Sequence, residues 1–293
     1  MATTLVLLAL LGGCGSSGSG HRTAATSPQA KTSPSAGPDK GPPSSFRRLS
    51  TPTHPPAHSV EVPILTYHRV HEFATEQTKS IPDLTVEPST FAAEMAALDR
   101  ANYRTISQTQ LFEAMYRGAA LPRRPVLLTF DDGYVDHVKQ VLPVLERHHM
   151  VATFYVITRR THEPGFLTGA QIRTLEAAGM DIGAHTRTHP SLTALSPSAL
   201  RDEVTGSQLD LRRLLGHPVY WFAYPYGVFN QAVEAAVKHA GFLLATTTQG
   251  GTRASTLAPL TIPRLHVGRG ATAATVLGLV RGSIGSAAPP GSG

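Results

Sequence analysis

Two stretches of this 293-residue chain carry side chains that could do chemistry together. The first is Val126-Leu127-Leu128-Thr129-Phe130-Asp131-Asp132-Gly133, an unbroken apolar and β-branched run that ends in two adjacent carboxylates and a glycine. Such a run reads as a buried parallel strand, bounded by Pro125 and Gly133. Two like charges side by side at a strand end repel, and burying them is costly unless a cation compensates. The second is Gly183-Ala184-His185-Thr186-Arg187-Thr188-His189-Pro190, whose two histidines also follow a short apolar run. One carboxylate and two imidazoles make a divalent-metal site that leaves positions for water and substrate. The other carboxylate is then free to act as a base.

These groups need elements that bring them together. From Val60 the pattern alternates between strands and helices. Val62–Tyr67 reads as a strand ending at His68, and Phe91, Met95 and Leu98 mark one face of a helix. Ser107 and Gln110 form a capping box for a helix that ends near Gly118. A helix spans Tyr134–Arg147 with Pro143 as a kink or break, and Val151–Ile157 is a strand. Thr168 and Gln171 cap a helix that stops near Gly179, and Ser196-Pro197 opens one that ends at Gly216. Val219–Ala223, Phe242–Thr247 and Arg264–Val267 read as strands, with helices over Asn230–His239 and Ala271–Val280. Sustained alternation of this kind argues for a parallel sheet, either a barrel or a doubly wound layer. Placement favours the barrel. His68, Asp131-Asp132, His185 and the Tyr224-Pro225-Tyr226-Gly227 turn each follow a predicted strand directly, and the C-terminal strand ends of a β/α barrel share one mouth.

The formal net charge is +6, unevenly spread. Cys14 to Ser59 holds five Lys or Arg against one Asp, whereas Val60 onward holds 21 basic and 19 acidic residues. The excess therefore belongs to the tail, which argues against a nucleic-acid-binding face in the folded part. Ala2–Leu11 is an apolar run too short to span a bilayer and reads as an export signal. It ends in Leu11-Gly12-Gly13-Cys14, which resembles the bacterial lipobox; residues 1–14 are read as that signal, with Cys14 the lipidated residue. Cys14 is the single cysteine, so no intrachain disulfide can form. Residues 15–59, rich in Ser, Pro, Gly, Thr and Ala, read as a disordered spacer, 60–285 as the folded domain and 286–293 as a disordered tail.

Taken together and in order, Thr129-Phe130-Asp131-Asp132-Gly133 and His185-Thr186-Arg187-Thr188-His189 resemble the polysaccharide deacetylase family, also called the NodB homology domain or carbohydrate esterase family four. The resemblance covers roughly Val60 to Arg269. It implies an irregular (β/α)7 barrel and removal of N-acetyl groups from an acetylated polysaccharide such as poly-N-acetylglucosamine, peptidoglycan or chitin. It implies Asp131 as general base and Asp132, His185 and His189 as ligands of one metal, usually zinc, with cobalt or nickel as alternatives. Tyr226 matches the tyrosine whose backbone N–H receives the oxyanion. The chain departs from the family pattern at two places: Ala223 stands where the base-orienting arginine belongs, and the later aspartate- and tryptophan-containing motif has no match. Both departures resemble the poly-N-acetylglucosamine deacetylase subgroup, in which the last histidine motif moves to the first strand, here Ile64-Leu65-Thr66-Tyr67-His68.

That reading makes His68 the general acid. His266, within Ile262-Pro263-Arg264-Leu265-His266-Val267, is expected to be a packed or outward-facing strand histidine whose loss costs mainly stability. Trp221 and Tyr224 are candidates for the floor of a sugar subsite. His137, His148, His149, His162, His217 and His239 are expected to be solvated or locally capped. The expected partners are the polysaccharide and, through the lipid, the outer face of a bacterial cell membrane, or the extracellular medium after release. Two other readings use the same residues: a catalytically weak carbohydrate-binding cell-wall lipoprotein, and a structural tether in which the basic spacer does the essential work.

Overall fold

The computed structural model describes residues 49–52, 58–75 and 82–282. The Cys14 lipobox, most of the 15–59 spacer and the 286–293 tail lie outside these residues.

A strand that is apolar on both faces must be covered on both, and a sheet of seven strands, most of them of that kind, sets the architecture. They are β1 (Ile64–Tyr67), β2 (Pro125–Phe130), β3 (Thr153–Val156), β4 (Asp181–Ala184), β5 (Trp221–Ala223), β6 (Leu244–Thr246) and β7 (Leu265–His266). They form one curled sheet in the order β6-β5-β4-β3-β2-β1-β7, every pairing parallel. The segment before β7 reaches back toward β6, with Thr246 bridged to Ile262, so the curl is nearly closed. This is the (β/α)7-type fold that the family resemblance implies.

Alternation along the strands divides the core in two. Leu65, Val126, Leu128, Phe130, Phe154, Val156, Ile182 and Phe222 face outward and pack under the helices. Those helices are α1 (Pro88–Arg100), α2 (Gln108–Arg117), α3 (Leu142–Arg147), α4 (Gly169–Ala177), α5 (Pro197–Leu215), α6 (Gln231–His239) and α7 (Ala273–Gly282). Ile64, Leu127, Tyr155, Trp221, Ala223 and Leu244 face inward, and α2 closes that space from below with Leu111, Phe112, Met115 and Tyr116. Leu49, ahead of the expected domain start at residue 60, is buried in the same cluster. Tyr220, just before β5, accepts its N–H through the hydroxyl at 3.2 Å.

Local signals hold where capping chemistry decides them. Ser107 and Thr168 each accept from the backbone N–H three residues on, inside full capping boxes. Gly118 and Gly216 end their helices in the left-handed conformation. The helix read over Tyr134–Arg147, with its kink or break at Pro143, forms as a π-helical segment, His137–Val141, that leads directly into α3, with Pro143 in the first turn of α3. Proline lacks the N–H that a continuous helix would need there, and the wide turn absorbs the break.

One buried carboxyl lies in this core away from the cavity. Glu94 of α1 is fully buried, accepts the Tyr67 hydroxyl at 3.0 Å, and leaves Oε1 without a partner among the described residues. Burial raises its pKa from 4.5 to about 7, against the pull of the Tyr67 hydrogen bond. The folded state therefore keeps a proton that the unfolded chain releases, so stability falls as pH rises from 4.5 to about 7. Glu94→Gln keeps an acceptor for Tyr67 without the charge. It is expected to flatten that slope and to exceed the parent in stability at alkaline pH, as read by urea unfolding on either side of the window. A variant less stable than the parent at alkaline pH contradicts this account.

Candidate active site

The inward face of the barrel leads to a solvent-open cavity of about 300 Å³ at the C-terminal strand ends. Period-two alternation delivers three of its residues: Ile64, Thr66 and His68 share one side of β1 and its exit, as do Leu127, Thr129 and Asp131 on β2. Asp132 would point away if the strand continued. It sits instead at φ 73°, so the chain turns and both carboxylates reach the cavity. Gly133 follows at φ 76° with Val156 close behind it, where a side chain would be strained and crowded.

Asp132, His185 and His189 each present a ligand atom, all within 4.8 Å of one another. Asp132 Oδ1 lies 3.6 Å from Nε2 of each histidine, and the two Nε2 atoms are 3.1 Å apart. His185 Nδ1 donates to the Ala223 carbonyl at 2.8 Å, which fixes the tautomer and leaves a bare Nε2 lone pair toward the group. Burial lowers His185 to about 4 and His189 to about 3, so both are neutral imidazoles. Burial and the neighbouring Asp131 charge push Asp132 up to about 7. Two lone pairs and a buried, destabilised carboxylate converging on one point fit a divalent cation.

Helix α5 holds the histidine loop. Glu203 accepts the backbone N–H groups of Arg187 and Thr188 at 2.8 and 2.9 Å and the Thr188 hydroxyl at 2.6 Å. Arg187 turns back along the helix, its guanidinium on Asp210 at 2.8 and 3.0 Å and on Asp202 at 2.6 Å. A Cβ on Gly206 would run into that guanidinium. The loop itself is strained, with Thr186 at φ 65° and His189 at φ 64°.

Asp131 is not left without an arginine. Arg264, almost wholly buried, sends Nη1 to Asp131 Oδ1 at 2.8 Å and Nη2 to Oδ2 at 2.7 Å. Its Nε donates to the Thr247 carbonyl, its Nη1 also to Thr129, and Tyr155 lies under the guanidinium at 5.6 Å. Burial works against the Asp131 charge, but the Arg264 charge and its two hydrogen bonds override it and hold the carboxyl well below the usual range. The expectation that this arginine is simply lost, based on Ala223, is corrected. The guanidinium enters from just before β7. The signal lay in Arg264-Leu265-His266, since two residues apart on a strand share a face.

His266 is corrected for the same reason. It is neither packed nor outward-facing: it is exposed within the cavity lining, where its ring meets that of His68 edge-on at 5.8 Å. His68 Nε2 lies 3.9 Å from Asp131 Oδ2, and its Nδ1 is buried without a partner among the described residues. Burial lowers His68 to about 4, although Asp131 pulls the other way. His137, expected to be solvated or locally capped, is fully buried between Phe130 and Phe154, and its Nε2 lies 2.7 Å from the His68 carbonyl.

The aromatic candidates divide. Trp221 is 4% exposed and packs on Phe112 in the closed end of the barrel, so it floors no sugar subsite. A mid-strand aromatic on the inner face is consumed by core packing. Tyr224 does line the cavity, stacked on Phe229, with its hydroxyl buried and unpartnered among the described residues. Tyr226 is 61% exposed at φ 59°, its ring 4.7 Å from that of His189.

Comparison with known proteins agrees with this geometry. Residues 118–245 match the family model described as polysaccharide deacetylase. The Bacillus subtilis (strain 168) protein YxkH is 26% identical over 210 residues, 72% of each chain. A chitooligosaccharide deacetylase of Bradyrhizobium sp. (strain ANU 289) is 37% identical over 122 residues, 40% of this chain and 53% of that relative, so the match spans about half its length. The Streptococcus pyogenes deacetylase PplD, solved in complex with acetate, superposes with a TM-score of 0.71 at 26% identity, covering 76% of this chain and 99% of that one.

The Glu203 clamp can be tested through the ligands it positions. Glu203→Ala removes three hydrogen bonds to the loop without touching a ligand. It is expected to weaken zinc or cobalt affinity by about 10–100-fold, measured by competition with a chelator. Affinity equal to the parent's shows that the loop holds its shape without the Glu203 bonds.

Proposed function

We propose that this chain is a metal-dependent hydrolase that removes N-acetyl groups from an N-acetylglucosamine-containing polysaccharide, namely poly-N-acetylglucosamine, peptidoglycan or a chitin-like polymer. The observation that carries the reading is one open cavity in which a carboxylate clamped by Arg264 sits beside the Asp132–His185–His189 group. In this reading those three residues hold zinc, with cobalt or nickel as alternatives. The cation, when bound, supplies Lewis acidity: it brings the pKa of water toward about 7 and draws charge from the acetyl carbonyl.

The protein's own groups do the rest. Arg264 keeps Asp131 ionised and fixes both of its oxygens, so Asp131 is the proton acceptor. His68 rests neutral in its buried position, so it must take up a proton before it can act as an acid. Its nearest source is Asp131 Oδ2, 3.9 Å from Nε2. The proton removed from water thus passes through Asp131 and His68 to the departing amine. Tyr226, turned by its positive φ, offers its backbone N–H to the oxyanion. Cys14 carries the lipid that keeps the domain at the outer face of a bacterial membrane until any release into the medium. Two acyl chains or more are needed for such an anchor to be stable.

Acetate release across chitooligosaccharides, poly-N-acetylglucosamine and peptidoglycan tests the activity and ranks the substrates; none from any of them leaves the carbohydrate-binding reading. Asp131→Asn is expected to keep the metal and lose about 10²–10⁴ in turnover, whereas His185→Ala or His189→Ala loses the metal. His68→Ala should lose most turnover with metal retained. His266→Ala, at an exposed position, should change stability by less than about 0.5 kcal/mol. Full activity in a verified metal-free preparation overturns the mechanism. Mass spectrometry of the mature N-terminus, in the parent and in Cys14→Ala, tests the anchor; an unmodified terminus elsewhere in the parent refutes it.

A further inference from the structure

Basic and acidic residues nearly balance over the folded part, yet the fold does not spread them evenly. Helix α1 ends at Arg100, shortly before Arg104 pairs with Pro125 at the start of β2. Arg123 and Arg124 lead into that same residue, and Arg147 ends α3 ahead of β3. All of these lie at the N-terminal strand ends, opposite the catalytic cavity. The segments are tied to one another: Arg124 donates to the Ala101 carbonyl at 2.7 Å, and Asp99 joins Arg104 and His148 at 3.4 and 3.1 Å.

The acids at this end are largely occupied. Asp99 is shared by Arg104 and His148, and Glu113 is taken by Arg117 at 2.6 Å. Asp181 at the start of β4 accepts from Thr109 at 3.0 Å, without a cation among the described residues, and Glu146 is exposed beside Arg147. Among the described residues, Arg100, Arg123, Arg124 and Arg147 are exposed and have no carboxylate partner. Arg100 and Arg147 also answer to the macrodipoles of the helices they end. Arg123 and Arg124 lie on no helix, so that explanation does not reach them.

The chain joins the domain at this same end. Leu49 is buried against the cluster that includes Tyr116 from the last turn of α2, and its N–H is held by Tyr220 ahead of β5. The sequence before it carries Arg22, Lys31, Lys40, Arg47 and Arg48 against Asp39, and further back Leu11-Gly12-Gly13-Cys14.

We propose that this end of the barrel docks on an anionic lipid bilayer and turns the catalytic cavity away from it. Exposed, uncompensated guanidinium groups match a surface of anionic headgroups. Attachment of the N-terminal segment at the same end lets a lipid on Cys14 deliver that face to the bilayer. Delivery rests on the lipid anchor described above; the docking face itself does not.

The test uses the full chain carrying Cys14→Ser, so that no lipid contributes. Its binding to phosphatidylcholine vesicles, with and without phosphatidylglycerol, is compared for the parent, an Arg123→Gln/Arg147→Gln variant and a control Arg159→Gln/Arg201→Gln variant. None of these arginines belongs to the cavity, and thermal unfolding checks that each variant is folded. The parent is expected to bind phosphatidylglycerol vesicles about tenfold or more tightly, less so at high salt. The first variant should lose most of that preference and the control should keep it. Equal binding by both variants, or no preference by the parent, overturns the proposal. Binding to soluble poly(glycerol phosphate) with none to either vesicle overturns it in favour of an anionic wall polymer. None of these readouts depends on acetate release, so a failure of the deacetylase reading remains distinguishable.

Discussion

A buried guanidinium and a buried carboxylate, joined by two hydrogen bonds, set the terms for the rest of the site. Either charge alone in the barrel interior would be expelled or neutralised. Together they are stable there, because Arg264 spends its remaining donors on the Thr247 carbonyl and Thr129 and lies over the ring of Tyr155. The pair ties the segment before β7 to the end of β2 and the exit of β6. It also settles which of two adjacent carboxylates stays ionised. Asp131 has the guanidinium; Asp132, next to that charge and without it, is left to find a cation elsewhere.

The geometry of the Asp132–His185–His189 group follows from this division at a conformational cost. Asp132, Thr186, His189 and Tyr226 all adopt positive φ without being glycine, and all four lie at the mouth of the barrel or in the histidine loop. Such conformations cost about 1–3 kcal/mol each and persist where surrounding bonds over-determine them. Here the bonds are visible: Glu203 on the loop backbone, the Thr186 hydroxyl accepting the His189 N–H at 3.0 Å, and the Thr248 hydroxyl on the Tyr226 carbonyl at 3.3 Å. The end opposite the mouth has positive-φ residues of its own, Asn102, Arg124 and His149 in the turns that lead into strands, while α2 and Trp221 fill the closed interior.

Much of this was legible in the sequence because it depends on local rules. Apolar runs ending at His68, Asp131 and His185 marked the strand ends, and the Ser107 and Thr168 boxes marked helix starts. What was missed depends on long-range contacts. Ala223 correctly showed that no arginine enters from β5, but nothing local says that Arg264, 133 positions from Asp131, holds that carboxylate. Strand alternation did place Arg264 and His266 on one face; whether that face turned inward depended on how far the sheet curls. Trp221 had the same ambiguity with the opposite outcome, since inward at the closed end of a barrel means core.

The Asp131–Arg264 pair is tested most directly by a double-mutant cycle on stability, with urea unfolding of the parent, Asp131→Asn, Arg264→Gln and the double variant. Each single change leaves one buried charge unpaired and is expected to cost about 3–5 kcal/mol. The double variant removes both charges and is expected to recover most of that loss. Additive costs, with the double variant as unstable as the sum of the singles, would contradict the account, because the two groups would then not depend on each other.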